Sequence, residues 1–224
     1  MCTGTVATPQ TPLVKPRMRG WLHFWSFAGS IVAATTLVAV SAALVGGGAA
    51  LATSVYSVTI LGLFGTSALY HRRAWRTPRS HSVMKRLDHS MIFLFIAGTY
   101  TPVAALAMDP GTARWLLTVV WAGALAGIVL KTGWPQTPAW VSVPIYIALG
   151  WVAVFVLPDI LTNGGMAALV LLLAGGLLYT AGAACYATRR PNPWPATFGY
   201  HEFFHAATVL AASCHHIAIW LVLF

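Results

Sequence analysis

The chain of 224 residues is strongly apolar: 58% of its residues are hydrophobic, its mean hydropathy is +0.74, and it carries only four acidic residues against 13 Lys and Arg. Apolar stretches of about 18 or more residues recur along its length, which is typical of a polytopic membrane protein. Their close spacing excludes a soluble domain of ordinary size. Their continuity, without alternation, disfavours a β-barrel.

The first predicted element is a polar tail over residues 1–20, which ends in the basic residues Lys15, Arg17 and Arg19. We expect this tail to be cytoplasmic and to precede a membrane domain over residues 21–224. The apolar run after the tail is longer than the core of a cleaved signal peptide, so we interpret it as a retained first span.

Seven apolar segments follow, and they predict an all-α bundle of seven transmembrane helices. The predicted spans cover residues 24–45, 49–70, 88–108, 113–130, 139–157, 165–187 and 202–223.

The basic residues predict the orientation of this bundle. With seven crossings, the tail and the second, fourth and sixth loops share one side of the membrane, and together they carry every Lys and Arg except Arg114. An excess of positive charge marks the cytoplasmic side, so the N terminus is predicted to be cytoplasmic and the C terminus extracytoplasmic. Because topology explains the net charge of +9, we expect membrane lipids as partners and no nucleic acid.

Polar residues stand at predicted span ends on this cytoplasmic side. His71 ends the second span, Asp88 opens the third, and His201 and His205 open the seventh. Residues four apart share a helix face, so His201 and His205 point the same way, as do Ser67 and His71. Ionisable groups at membrane depth usually mark a functional site.

This arrangement predicts a zinc site. His201 and His205 would supply two nitrogen ligands, His71 would supply a third, and the fourth position would be free for water. Asp88 would bind the metal or accept a proton from the water, and Ser67 would hydrogen-bond the water, Asp88 or a developing oxyanion. Imidazole ligands also suit nickel, copper and iron, so the identity of the metal stays open.

These residues also have structural interpretations. The paired histidines are equally the pattern of a packing pair, Asp88 suits the N-cap of the third span, and Ser67 can return its hydroxyl to the carbonyl one turn back. Glu202 points about 100° away from His201, so we expect it to pair with an arginine or with the backbone at the start of the seventh span.

The residues and their order resemble the hemolysin III family, the bacterial branch of the progestin and adipoQ receptor (PAQR) superfamily. The resemblance covers residues 17–224. The matching stretches are Ser67-Ala-Leu-Tyr-His71, Leu87-Asp-His-Ser90, Ala97-Gly-Thr-Tyr-Thr-Pro102 and His201-Glu-Phe-Phe-His205.

The resemblance implies a seven-helix bundle in the bacterial plasma membrane with zinc near its cytoplasmic face. It implies zinc ligands at His71, His201 and His205, the family's aspartate at Asp88 and its serine at Ser67. Many members also carry an acidic residue and an asparagine ahead of a histidine near the first span, whereas this chain keeps only the histidine, His23.

The resemblance also bears on activity, because related superfamily members look like zinc-dependent lipid amidases of the ceramidase type. We therefore expect a zinc-dependent membrane hydrolase that cleaves a lipid amide or ester bond, a hypothesis in which the substrate rests on analogy. One alternative is a pore-forming cytolysin, although no charged stripe crosses the predicted bilayer to line an aqueous path. The other is a receptor or regulator of membrane lipid state in which the zinc is structural.

Overall fold

The computed structural model describes residues 15–134 and 136–224, so residues 1–14 of the predicted polar tail lie outside the described residues. Within those ranges the regular structure is helical. The first helices are α1 (Trp21–Val40), which continues into a π-helical turn (Ser41–Val45), α2 (Gly47–Arg72), α3 (Pro78–Ala107) and α4 (Pro110–Gly133). They are followed by α5 (Ala139–Gly150), a 3-10 segment (Trp151–Val156), the short α6 (Leu157–Asp159), a π-helical segment (Ile160–Gly164), α7 (Gly165–Thr188) and α8 (Tyr200–Leu223).

Six helical runs in the described part of the chain are long and apolar enough to cross a membrane, where the sequence predicted seven spans. The difference lies in one run of 50 residues, Ala139–Thr188, which contains both the fifth and the sixth predicted spans. The segment expected to be a loop between those spans, residues 158–164, instead lies in the short α6 and the π-helical segment that follows it. The run is nevertheless not one continuous helix, because Gly165 has a φ of 79°, outside the helical region.

Helix α3 begins ten residues before the predicted start of the third span. The Thr77 side chain caps this helix by accepting a hydrogen bond of 3.1 Å from the Ser80 amide, and Pro78 occupies the first turn, where its missing N–H is harmless. The basic segment before Asp88 is therefore largely helical. Asp88 lies inside α3, and the interpretation of Asp88 as an N-cap is wrong.

Helices α2 and α3 pack closely against each other at Gly98 and Thr59. A Cβ atom on Gly98 would overlap the side chain of Thr59, so a glycine at this position lets the two helices approach closely. The fully buried Tyr56 and Phe93 belong to the core on either side of this contact.

Tyr100 connects α3 to the irregular part of the long run. Its hydroxyl donates to the Gly150 carbonyl (2.5 Å) and accepts from the Ala153 amide (2.8 Å). These bonds satisfy backbone groups where the regular α5 helix ends, as the apolar surroundings require.

Candidate metal centre

The start of α1, the end of α2 and the start of α8 meet at one end of the bundle. The Arg17 amide donates to the Ala196 carbonyl (3.0 Å) and the Met18 amide to the Thr197 carbonyl (3.1 Å), which ties the segment before α1 to the loop before α8. Gly20 has a φ of 81°, and a Cβ on it would lie 2.7 Å from the Cβ of His71. Glycine is required here both for the left-handed backbone and for this close approach.

A buried ion pair holds the start of α8. The Nε of Arg19 lies 2.5 Å from Oε1 of Glu202, a side chain that is 1% exposed. The other carboxylate oxygen, Oε2, accepts a hydrogen bond of 2.9 Å from the Gly199 amide. The expectation that Glu202 pairs with an arginine and with the backbone at the start of this helix is confirmed on both counts.

His71, His201 and His205 come together at this junction, as predicted. One nitrogen from each lies within 4.8 Å of the others, and Nε2 of His71 is 3.2 Å from Nε2 of His201. Two nitrogens bound at about 2.0–2.1 Å to one tetrahedral metal ion would lie about 3.3 Å apart. The donor set and its spacing therefore fit a metal ion, and the three histidines can hold one.

Ser67 and Asp88 lie beside these histidines. Ser67 is 3% exposed, and its Oγ is 2.7 Å from Nδ1 of His23 and also faces the Asp88 carboxyl group. The Ser67 hydroxyl therefore bonds to other side chains, whereas the structural interpretation expected it to bond to the backbone carbonyl one turn back. No carboxylate oxygen of Asp88 belongs to the set of potential ligand atoms that lie within 4.8 Å of one another. Asp88 is therefore better placed to contact a water or substrate molecule beside the metal than to bind the metal directly.

Sequence reasoning named His23 as the retained histidine of the first-span motif but did not place it in the metal site. It is 3% exposed, its ring stacks on that of His205, and its Nε2 is buried without a hydrogen-bond partner among the described residues. The available signal was a lone histidine near the start of the first span, on the same side of the membrane as the cluster.

The cluster of histidines with Ser67 and Asp88 borders an elongated cavity of about 430 Å³. Its walls include Ser67, Asp88, His201 and His205, and they follow α3 from Lys85 to the C-cap residue Met108. That stretch corresponds to about 35 Å of helix, close to the thickness of a bilayer core. Away from the polar group the walls are mainly apolar, with residues such as Val103, Ile160 and Leu172, and the volume is within the range of small-molecule sites.

Comparisons with known proteins identify relatives of this chain. The family described as "Haemolysin-III related" matches residues 12–216 of the chain. The chain is 34% identical to "Hemolysin-3" of Bacillus cereus over 135 residues, which cover 60% of this chain and 61% of that protein. It is 28% identical to the "Hemolysin-3 homolog" of Bacillus subtilis (strain 168) over 153 residues, 68% of each chain. The match thus spans about three fifths of the length of the Bacillus cereus relative.

A third relative comes from a plant. The chain is 29% identical to "Heptahelical transmembrane protein ADIPOR2" of Oryza sativa subsp. japonica over 184 residues, which cover 75% of this chain and 80% of that protein. The family match, the apolar helices and the bacterial relatives lead to one conclusion: the chain belongs to the haemolysin III family within the PAQR superfamily and is an integral protein of the bacterial plasma membrane.

Proposed function

We propose that this protein is a zinc-dependent hydrolase of a lipid amide or ester bond. The observation that carries the proposal is the meeting of three metal-competent histidines with Ser67 and Asp88 at one end of a long apolar cavity. A zinc ion held by these three histidines would have its fourth position free for water, as in catalytic zinc sites.

When bound, zinc supplies a Lewis acid that polarises a carbonyl and lowers the pKa of water to about 7. Asp88 accepts a proton from the attacking water and returns it to the leaving group. Ser67, whose hydroxyl faces Asp88, donates its one proton to that carboxylate and so fixes its direction. His23 in turn holds the Ser67 hydroxyl.

The apolar part of the cavity positions the substrate. An acyl chain that lies along α3 is removed from water, and its carbonyl then stands at the end where the polar residues meet. The requirement for such a channel explains why hydrolysis would take place in a helical membrane bundle.

We also propose a seven-span topology with a cytoplasmic N terminus. Within the run Ala139–Thr188, Gly165 has a φ of 79°, and the Trp151 indole N–H donates to Oγ1 of Thr180 at 3.0 Å. A hydrogen bond between residues 29 apart supports a reversal of the run into two crossings. The printed name of the Oryza sativa relative, which calls that protein heptahelical, supports the same count.

Labelling of single cysteines tests this topology, in a background in which Cys2, Cys185 and Cys214 are replaced by serine. In spheroplasts, a membrane-impermeant maleimide should label Asn163→Cys without permeabilisation and Ser80→Cys only after it. The opposite pattern, or the same labelling at both positions, would refute the proposed topology.

The hydrolase proposal is tested first by elemental analysis of the detergent-purified protein. The wild type and the control His81→Ala, which replaces an exposed histidine outside the cluster, should each contain about one zinc per chain, and His201→Ala should contain almost none. The zinc-loaded wild type is then assayed on a panel of lipid amides and esters. Folded wild type without stoichiometric metal, or zinc-loaded protein without hydrolysis of any panel lipid, would count against the proposal.

Cytolysis is a second candidate because the Bacillus cereus relative is named "Hemolysin-3". Leakage of a fluorescent dye from liposomes, measured with the wild type and with His201→Ala, separates the two candidates. Equal leakage with both proteins would favour a pore, whereas intact liposomes together with zinc-dependent hydrolysis would favour the enzyme.

A further inference from the structure

Two lysines line the same cavity as the candidate metal centre. Lys131, in the last turn of α4, is only 5% exposed, and Lys85, in the N-terminal part of α3, is exposed. Their positive charges repel each other, and both also act on the neighbouring His89. This end of the cavity is therefore cationic.

The acidic residues of the chain do not balance these charges. Only four exist: Glu202 pairs with Arg19, Asp109 caps α4, Asp88 lies 3.6 Å from His89, and Asp159 lies in α6. Within residues 15–134 and 136–224, no carboxylate lies within ion-pair distance of Lys131. Burial of a cation without a counter-ion is strongly unfavourable.

The usual structural explanations for a lysine at a span end do not account for Lys131. A snorkelling lysine extends its side chain to bulk water, whereas Lys131 is 5% exposed and lines the cavity. The carbonyl groups at the C-terminal end of α4 would attract the ammonium group of an exposed lysine equally well, so this attraction does not explain why Lys131 is buried. A bound anion would supply the missing charge.

We propose that Lys131 and Lys85 bind the phosphate-bearing head of a single-chain lipid whose hydrocarbon chain lies in the apolar part of the cavity. Two cations match the charge of a phosphate monoester better than the single charge of a carboxylate. Because the apolar walls continue from the lysines, the ligand is an amphiphile and not inorganic phosphate. The assignment rests on the proposed function only in identifying the bound lipid as the substrate class, since binding needs no hydrolysis.

Binding of ether lipids, which the proposed hydrolase cannot cleave, tests the assignment. The probes are 1-O-octadecylglycerol 3-phosphate, the neutral 1-O-octadecylglycerol and inorganic phosphate, each measured by native mass spectrometry with the full-length protein in a non-ionic detergent. Lys131→Met keeps the length of the side chain, Lys85→Met alters an exposed position, and Arg79→Met is the control, a cation of α3 outside the cavity walls.

The wild type should bind the phosphate lipid at least about tenfold more tightly than the neutral lipid, and each lysine variant should lose about tenfold for the phosphate lipid alone. Arg79→Met should bind all probes as the wild type does. Equal affinity for the two lipids, or an equal loss in Arg79→Met, would overturn the proposal, because a general surface charge would then be responsible. Competition by inorganic phosphate as effective as that by the phosphate lipid would overturn the assignment to an amphiphile.

The results of these binding experiments can be distinguished from the results that test the hydrolase. Preference for the phosphate lipid in a protein that cleaves no lipid would retain this site and reject the hydrolase. Zinc-dependent cleavage of neutral lipids, with no effect of the lysine variants on binding, would retain the hydrolase and reject this site.

Discussion

The imidazole rings of His23 and His205 are stacked, with their centroids 3.8 Å apart and their planes inclined by 8°. The same His23 ring places its Nδ1 2.7 Å from Oγ of Ser67. One side chain from α1 thus contacts a candidate metal ligand on α8 and a candidate catalytic hydroxyl on α2. His23 is a positioning residue for both.

Substitutions at His23 should separate these two contacts. His23→Phe keeps a ring against His205 and loses the bond to Ser67, so a cobalt-substituted protein should keep its visible absorption bands while hydrolysis falls about tenfold. His23→Gln keeps a polar partner for Ser67 and loses the ring, so it should shift those bands. Identical spectra and identical activity losses in the two variants would contradict this division of roles.

Asp88→Asn should lower hydrolysis of a verified lipid substrate by at least about 100-fold, because the amide cannot accept the proton of the attacking water. It should keep the bound zinc, since Asp88 lies outside the histidine group. His71→Ala should lose both zinc and activity, and Asp159→Asn is a matched control at a carboxyl group outside the cavity walls. Full activity in Asp88→Asn would rule out this carboxylate as the proton acceptor.

Arg19→Met should destabilise the protein by about 3–5 kcal/mol, because it leaves the buried Glu202 carboxylate without its cation. The double variant Arg19→Met/Glu202→Gln should recover part of this loss, since the amide still accepts the Gly199 N–H and carries no charge. Unfolding in mixed micelles measures both, with Arg17→Met, at an exposed side chain, as the control. A double variant no more stable than Arg19→Met would show that the unpaired charge is not the cause.

Asp109 should give a pH-dependent contribution to stability. Hydrogen bonds from the Thr112 side chain and from the backbone amides of Thr112 and Gly111 hold the pKa of this carboxyl group below its usual range. A lowered folded-state pKa means that the stabilisation is present above the unfolded value of about 3.9 and is lost as the pH falls through the folded value.

The midpoint of thermal unfolding should therefore be lower in Asp109→Ala than in the wild type at pH 7, and the gap should narrow below about pH 4. Asp109→Asn keeps a capping oxygen without the charge, so the difference in midpoint between Asp109→Asn and Asp109→Ala should depend little on pH. A wild-type advantage over Asp109→Ala that grows as the pH falls would contradict the assignment.

The spacing of residues along the chain was sufficient to predict much of the candidate site. His201 and His205 lie one helical turn apart, as do Ser67 and His71, and this places each pair on one face whatever the rest of the fold does. The predicted spans placed His71 on the same side of the membrane as the histidines at the start of α8. The structure brings the three histidines together.

Helix boundaries were less predictable because they depend on individual capping contacts. The start of α3 is set by Thr77 and Pro78, so the helix extends through basic residues that hydropathy assigned to a loop. Residues 158–164, which were expected to form a loop, lie in α6 and a π-helical segment. The ends of helices and short helical turns depend on local hydrogen bonds and backbone angles, which hydropathy does not record.

The sequence by itself determined that the chain is an integral membrane helical protein, and which polar side chains share a helix face, because hydropathy and the 3.6-residue period are local properties. Only the tertiary structure decided what stands opposite each face. The stacking of His23 on His205, the pairing of Arg19 with Glu202 and the burial of Lys131 against a common cavity join residues far apart in the chain. Their contacts depend on how whole helices pack, and no local spacing records that packing.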